Sequence, residues 1–499
     1  MKKVAVLGFI LIITVLLVFA KLYLLWDFVP QSTHQWRQTD SAGMMLVYTQ
    51  NGLNFFGPGI MNCMNGDYHT VAEFPIFYYL AAIWCKLFFY SEGWLRSIHL
   101  LVLVAGFYYL YRWMLGLGLS VSLALVLLLV LLSSPVMLYY GFNLLPDPAG
   151  LGLSLIALSL IGMHQLKGLT NGQKFLLGIS LALAGMIKIP FMAVPLGYYA
   201  ILYLGRMERM SELKQVIVAA LGSALVWLAV AKGYNYIHHS DYFLSRLMPI
   251  WNCDWSDCTN IFLRIKNGWF FDYFSAPAWL LVGVSFAGLF WTYRLLELHL
   301  RRLLVWSFVV FVAIFLAWFI QFEHHDYYFI LVYPFFSLLI VLGVLALHRK
   351  YPNRSLTMTV VLLVAGLSQL NHAKSVIWSR YDLQSPFQAD CLPTVYHHRG
   401  EIQQWLSNHD VAANDQVLNI SDGMTNGSLY FLQRHGWNQF NFKGHKQKLD
   451  SQCLEYFKNL GAKHLIFHEN RWKDTSWVKV IFDQNCISSF RDSIFLVKL

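Results

Sequence analysis

Charge is scarce in this chain. Only 13% of its 499 residues are Asp, Glu, Lys or Arg, about half of the roughly 25% usual in a soluble domain. A water-facing globule of this length could not cover itself with so few polar groups, so a single soluble domain is excluded. Cysteine is rare too, and 7 residues in so long a chain exclude a small disulfide-stapled module. There is no internal repeat, no low-complexity segment, and no Gly-rich loop of the P-loop or dinucleotide type. Apolar material, by contrast, makes up 57% of the chain, and 16% is aromatic. That excludes a disordered chain and leaves a polytopic membrane protein with a water-soluble part. A net charge of +10 would point to nucleic acid in a soluble protein. Here the positions of Lys and Arg explain it otherwise, and no nucleic-acid partner is expected.

A membrane-spanning helix takes about 20 mostly apolar residues. Such runs occur at 4–26, 96–113, 119–140, 149–166, 175–188, 190–205, 214–236, 277–297, 302–320, 327–347 and 355–371, which predicts about 11 transmembrane helices. The first follows Lys2 and Lys3. It is too long for a signal-peptide core and lacks a small-residue cleavage site, so it is read as a retained helix. The stretch 74–90 is shorter and interrupted by Lys86, and is expected to be interfacial or re-entrant.

Cytoplasmic loops carry an excess of Lys and Arg. With the N-terminus in the cytoplasm, the inner loops hold Arg112, Lys167, Lys174, Arg206, Arg209, Lys214, Arg294, Arg301, Arg302, Arg349, Lys350 and Arg354. The outer turns near 141–148 and 321–326 hold neither Lys nor Arg. The chain is therefore expected in the plasma (inner) membrane, with 27–95, 237–276 and everything after 371 outside the cytoplasm.

The tail is polar. Strand-like runs at 417–420, 464–468, 478–483 and 494–498 alternate with helical patterns at 398–408, 427–435 and 449–461, which predicts a small α/β domain. The expected organisation is a membrane-embedded domain, 1–371, with interfacial helices in its first outer loop, 27–95. An extracytoplasmic α/β domain, 372–499, follows. In the outer loop 237–276, Cys253 and Cys258 could pair as a local disulfide. A metal pair there would need two further soft ligands.

Several polar residues fall on the predicted outer side. HQWRQTD, residues 34–40, joins Trp36, Arg37 and Asp40 just after the first span. Such residues anchor helix ends at interfaces; an acid beside a cation there also suits an anionic lipid headgroup and a proton acceptor. Asp147, in NLLPDP, is either a helix cap or a second functional acid. Glu73 precedes Pro75 at the start of the interfacial segment. FEHHDYY, residues 322–328, gathers Glu323, His324, His325, Asp326 and Tyr328, either a metal or sugar site or an ordinary polar turn. His238 and His239 form a similar pair. Lys188 and Arg246 are outer-side cations able to hold a phosphate. An enzyme working there has no supply of nucleotide-activated donors, so a lipid-borne donor fits the layout.

The order of these features resembles the GT-C membrane glycosyltransferases. A first span is followed by W-R-Q-x-D (Trp36–Asp40), then an acid-x-Pro segment (Glu73–Pro75), then Pro-Asp (Pro146–Asp147) after the third span. The pattern is similar in particular to the branch of protein O-mannosyltransferases, the aminoarabinose transferase of lipid A and the Rgt-type lipopolysaccharide sugar transferases. It covers roughly 1–350.

The resemblance implies transfer of a sugar from a polyprenyl-phosphate donor to a glycan, lipid or protein hydroxyl at the outer face, with inversion. It makes Asp40 the catalytic base and Asp147 the second acid. Trp36, Arg37, Glu73, Lys188, Arg246, His324, His325 and Tyr328 are then the substrate-binding candidates. It also implies a divalent metal on Glu73 with a later His, for which His238, His239, His324 and His325 all stay open. Two departures concern the phosphate and metal contacts: Phe74 stands where some members have Lys, and Gly43 where some have Arg. The alternatives are an oligosaccharide polymerase or ligase, and a lipid or polysaccharide transporter. A transporter would bring charges into mid-span and repeated halves, neither of which is seen.

Overall fold

The computed structural model describes residues 2–205, 208–242, 247–382, 398–420, 423–444, 451–468 and 486–499. The chain forms two compact units. One comprises Met1–Phe28, Leu95–Ala229 and Ser245–Ser379; the other comprises Val29–Trp94, Val230–Leu244 and Arg380–Leu499.

The first unit is helical. Among the described residues, 7 helices are long and apolar enough to cross a membrane, or 8 with the bent pair Val121–Leu132 and Pro135–Gly141 taken as one span. The bend, 75°, falls at Ser133–Ser134, where Pro135 lacks the N–H that would continue the helical ladder. Asp147–Lys167 and Phe329–Lys350 are buried along nearly their whole length. Lys214–Ile237, Ala276–Thr292 and Leu298–Ala317 instead expose large apolar side chains such as Val226, Phe290 and Val309. In water such faces would aggregate; in hydrocarbon they are the lipid-facing side. Gly106 and Gly152 let two helices touch backbone to backbone. A Cβ on Gly106 would lie 2.4 Å from the Gly152 carbonyl oxygen, and one on Gly152 2.4 Å from that of Val102. Small residues at such crossings are the usual solution in membranes.

Each of the predicted spans coincides with a helix or the bent pair, with shifted ends. The first is shorter than 4–26: its α-helix is Lys2–Phe19, after which Lys21 turns left-handed (φ 55°) into a 3₁₀ turn, Leu22–Leu25. Two of the predicted spans are short helices, Asn171–Ile187 and Pro190–Leu204, divided at Lys188 and Ile189. Cys253 and Cys258 are free thiols.

The second unit is α/β. Its five-stranded sheet comprises β1 (Gln416–Ile420), β2 (Gly436–Asn438), β3 (Ala462–His468), β4 (Cys486–Phe490) and β5 (Ile494–Lys498), in the order β2-β1-β3-β5-β4. β1 is parallel to β2 and β3, whereas β5 is antiparallel to β3 and β4. Leu418, Ile420, Trp437, Phe457, Leu465, Phe467, Phe495 and Val497 form its core. The predicted strand 478–483 lies outside the described residues.

The outer-loop segment around Asn62 extends this sheet beyond β2. Asn62 bridges Gly436, Cys63 N–H donates to the Gly436 carbonyl at 2.7 Å, and Gly436 N–H donates to that of Met61 at 3.1 Å. Asn62 and Asn441 exchange amide hydrogen bonds at 2.9 and 3.0 Å. Buried Glu92 accepts from Arg399 at 2.6 Å. The 12-residue helix Ile76–Leu87 belongs to this unit too and is too short to span.

Candidate active site

In the second unit the helix Gln35–Gln50 carries Arg37 and Asp40 one turn apart, on its buried side. Arg37 Nη2 donates to Glu73 Oε1 at 2.7 Å, and its Nη1 lies 3.9 Å from Asp40 Oδ2. Glu73 also accepts from Tyr78 Oη. Asp40, only 1% exposed, is held from both sides. Tyr242 Oη donates to Oδ2 at 2.8 Å and Asn426 Nδ2 to Oδ1 at 2.6 Å.

Both holders are fixed in turn. Asn426 Oδ1 accepts from the Met61 and Asn62 N–H groups at 2.9 and 3.1 Å. Asn235 Nδ2 donates to the Tyr242 and Val71 carbonyls at 3.1 and 2.7 Å. The result is a preorganised carboxylate with defined orientation.

Burial pushes the Asp40 carboxyl up to about 6, and Glu73 adds to the rise; Arg37 and the hydrogen bonds from Asn426 and Tyr242 hold it from going further. Burial likewise pushes the Tyr242 phenol well up, with Asp40 adding to it, so Tyr242 remains a donor. A carboxylate tuned toward neutrality is suited to take a proton near physiological pH. Trp36 is half-buried beside this group on the same helix.

A second cluster in the same unit gathers Asp67, His69 and His238, whose ligand atoms lie within 4.8 Å of one another; no other such group occurs among the described residues. Asp67 Oδ1 is 2.6 Å from His69 Nδ1, and Oδ2 is 2.9 Å from His238 Nδ1. Burial works to raise the Asp67 carboxyl, but the His69 N–H and the two imidazoles outweigh it and hold it below its usual range. Of the predicted ligands Glu73, His238 and His239, only His238 is in this group. Glu73 is engaged with Arg37 and Tyr78. His239 is in a left-handed turn (φ 51°), its carbonyl accepting from Asn65 at 3.0 Å.

In the first unit Asp147 opens the helix Asp147–Lys167. It makes no side-chain cap; its Oδ1 pairs with Lys188 Nζ at 2.5 Å, and its buried Oδ2 has no hydrogen-bond partner among the described residues. Lys188 ends the helix Asn171–Ile187 in extended backbone and sits over the rings of Tyr327 and Tyr328, 5.3 and 5.1 Å from their centroids. FEHHDYY is divided. Glu323 pairs with Arg264 at 3.0 Å and His324 at 3.4 Å, His325 stacks on Tyr328, and Asp326 accepts from Tyr140. It forms no metal-ligand group. Arg246 lies outside the described residues.

The sequence reading missed Tyr78, Tyr242, Asn426, Asp67 and His69. For Asp67 and His69 the D-x-H spacing in GDYHT was the available signal; Tyr242, Tyr78 and Asn426 have none.

This architecture, a polytopic helical unit with an α/β unit assembled from its outer loop and tail, is the GT-C fold. The structure is similar to that of ArnT from Cupriavidus metallidurans in the apo state, with a TM-score of 0.63 at 12% identity over 98% of this chain and 97% of the other. The same protein bound to undecaprenyl phosphate gives a TM-score of 0.62 at 12% identity and the same coverage. An Archaeoglobus fulgidus oligosaccharyltransferase, in a complex with Zn and sulfate, gives a TM-score of 0.57 at 13% identity over 91% of this chain and 68% of its own. At such identities the likeness is one of fold. No protein-family model and no curated protein sequence matches the chain.

Proposed function

We propose that the protein transfers a sugar from a polyprenyl-phosphate donor to an acceptor hydroxyl at the extracytoplasmic face of the membrane, with inversion. The observation that carries this reading is Asp40: a buried carboxylate, oriented by Tyr242 and Asn426 and shifted toward neutrality, on a helix outside the membrane spans. The fold supports it, since the ArnT neighbour binds undecaprenyl phosphate.

In the reaction Asp40 accepts the proton of the acceptor hydroxyl. That oxygen bonds to the anomeric carbon as the bond from carbon to the phosphate oxygen breaks, and the electron pair leaves with the polyprenyl phosphate. Arg37 is a cation fitted to the negative charge of the leaving group, with Trp36 as an apolar contact on the same helix. Within the helical unit, Lys188 stands over Tyr327 and Tyr328 as a cation able to hold a phosphate. Asp147 keeps its Oδ2, the oxygen that Lys188 does not take, for the role of a second acid. Two imidazoles and a carboxylate at Asp67, His69 and His238 are a ligand set suited to zinc with an open position. An ion there would supply positive charge for a phosphate.

The test is mass spectrometry of glycolipids and glycoproteins from a deletion strain, complemented with wild type or Asp40→Asn. One glycosyl mass should vanish on deletion and return with wild type only. Return with Asp40→Asn would remove Asp40 from the base role, and a profile unchanged by deletion would refute sugar transfer.

A further inference from the structure

A cavity of about 440 Å³ opens at one end of the membrane unit, lined by Lys21, Leu24, Asn371, Lys374, Ser375 and Trp378. It lies where the helices Lys2–Phe19 and Ser355–Arg380 meet. Trp378 Nε1 donates to the Ala20 carbonyl at 2.9 Å, and Lys374 Nζ sits 4.7 Å from the Phe19 ring centroid. The lining offers two ammonium groups, an amide and a hydroxyl, and no carboxylate. Among the described residues neither lysine has an acidic partner. Below it the two helices expose Val18, Phe19, Val364 and Leu367, an apolar surface of the kind acyl chains cover.

Two ordinary explanations leave part of it over. Lysines complement helix C-termini at the last turn; Lys21, two residues past Phe19, can do so for its helix, but Lys374 stands six residues before the end of its own at Arg380. Snorkelling lysines lead their charge out to water, whereas these two line one cavity. Lys21 also holds a left-handed backbone (φ 55°) that Gly or Asn would adopt at less cost.

We infer that this cavity binds the phosphate of an anionic membrane phospholipid, with the lysines, Asn371 and Ser375 around the headgroup and the acyl chains along the two helices. The site is separate from the sugar-transfer reading and does not depend on it.

Native mass spectrometry of delipidated, full-length protein tests this with phosphatidylglycerol, phosphatidylcholine and inorganic phosphate as probes. Wild type should retain phosphatidylglycerol over phosphatidylcholine. Lys21→Asn with Lys374→Gln should weaken retention about ten- to thirty-fold, while Lys21→Arg with Lys374→Arg keeps it and Lys167→Gln leaves it unchanged. Asn is chosen because it tolerates the left-handed turn; the Arg pair guards against a folding defect. Equal retention of both lipids, or full retention by the neutral pair, would overturn the site. Inorganic phosphate bound as tightly as the lipid would overturn the lipid assignment.

Discussion

In the proposed reaction Asp40 joins chemistry and stability in one side chain. Its pKa is raised in the folded protein, to about 6, above the ordinary aspartate value near 4. The stability linked to this group is therefore fully present below about pH 4 and is lost as pH rises through about 6. At neutral pH the ionised form costs on the order of 2–3 kcal/mol. Asp40→Asn should thus abolish sugar transfer and yet raise Tm near neutral pH, with the gain shrinking toward about pH 4; thermal melts across pH read this directly. In wild type, kcat/KM should fall tenfold per pH unit below about 6 and level off above it. A lower Tm for Asp40→Asn at every pH would make Asp40 a structural group. Arg37, Asp40 and Glu73 were legible in the sequence because two of them share seven residues and the third opens a recognisable segment. Tyr242 and Asn426 were not: they lie 202 and 386 residues from Asp40, and a contact made only by folding leaves no local pattern.

Elements that are legible one by one are joined by contacts that are not. Long apolar runs announced the helices, and β1, β3 and β5 announced themselves as short apolar strands. β2 has only three residues, and its pairing with the outer loop rests on buried amides. Asn62→Ala removes the reciprocal pair with Asn441 and leaves that buried amide with only the Asn438 N–H and a long contact to the Met64 carbonyl, at a cost of about 1–3 kcal/mol. A lower Tm with easier proteolysis of the tail is the expected result. Gly436→Ala should be worse, because its Cβ would lie 1.8 Å from the Val417 carbonyl oxygen in backbone at φ 158°. The Asp67 cluster spans two such distant segments, 171 residues apart. Zinc added to metal-free protein should bind by calorimetry, and Asp67→Asn or His238→Ala should weaken it at least about tenfold. Binding unaltered in both variants would exclude this ligand set.

At the scale of the molecule, one compact unit is built from three separated stretches, Val29–Trp94, Val230–Leu244 and Arg380–Leu499. They must share a compartment, so the chain crosses the membrane an even number of times between them. Between the first two lie Gly93–Gly116, the bent pair, Asp147–Lys167, Asn171–Ile187, Pro190–Leu204 and Lys214–Ile237, six passages. Between the second and third lie Ala276–Thr292, Leu298–Ala317, Phe329–Lys350 and Ser355–Arg380, four passages. Dropping either short helix alone makes the first count odd, so the two cross together or not at all. At 17 and 15 residues they reach only about 22–26 Å, close enough to a hydrocarbon core of about 30 Å to need local thinning or snorkelling ends. The Lys and Arg of the opposite loops support our proposal that the shared compartment lies outside the cytoplasm. Single cysteines at Gly66 and Ser407 should then react with a membrane-impermeant maleimide in intact cells, and those at Lys167 and Asn353 only after permeabilisation. Labelling of Gly66 and Ser407 from opposite sides would break the even count, and the reverse pattern at all four would invert the orientation while leaving the count intact.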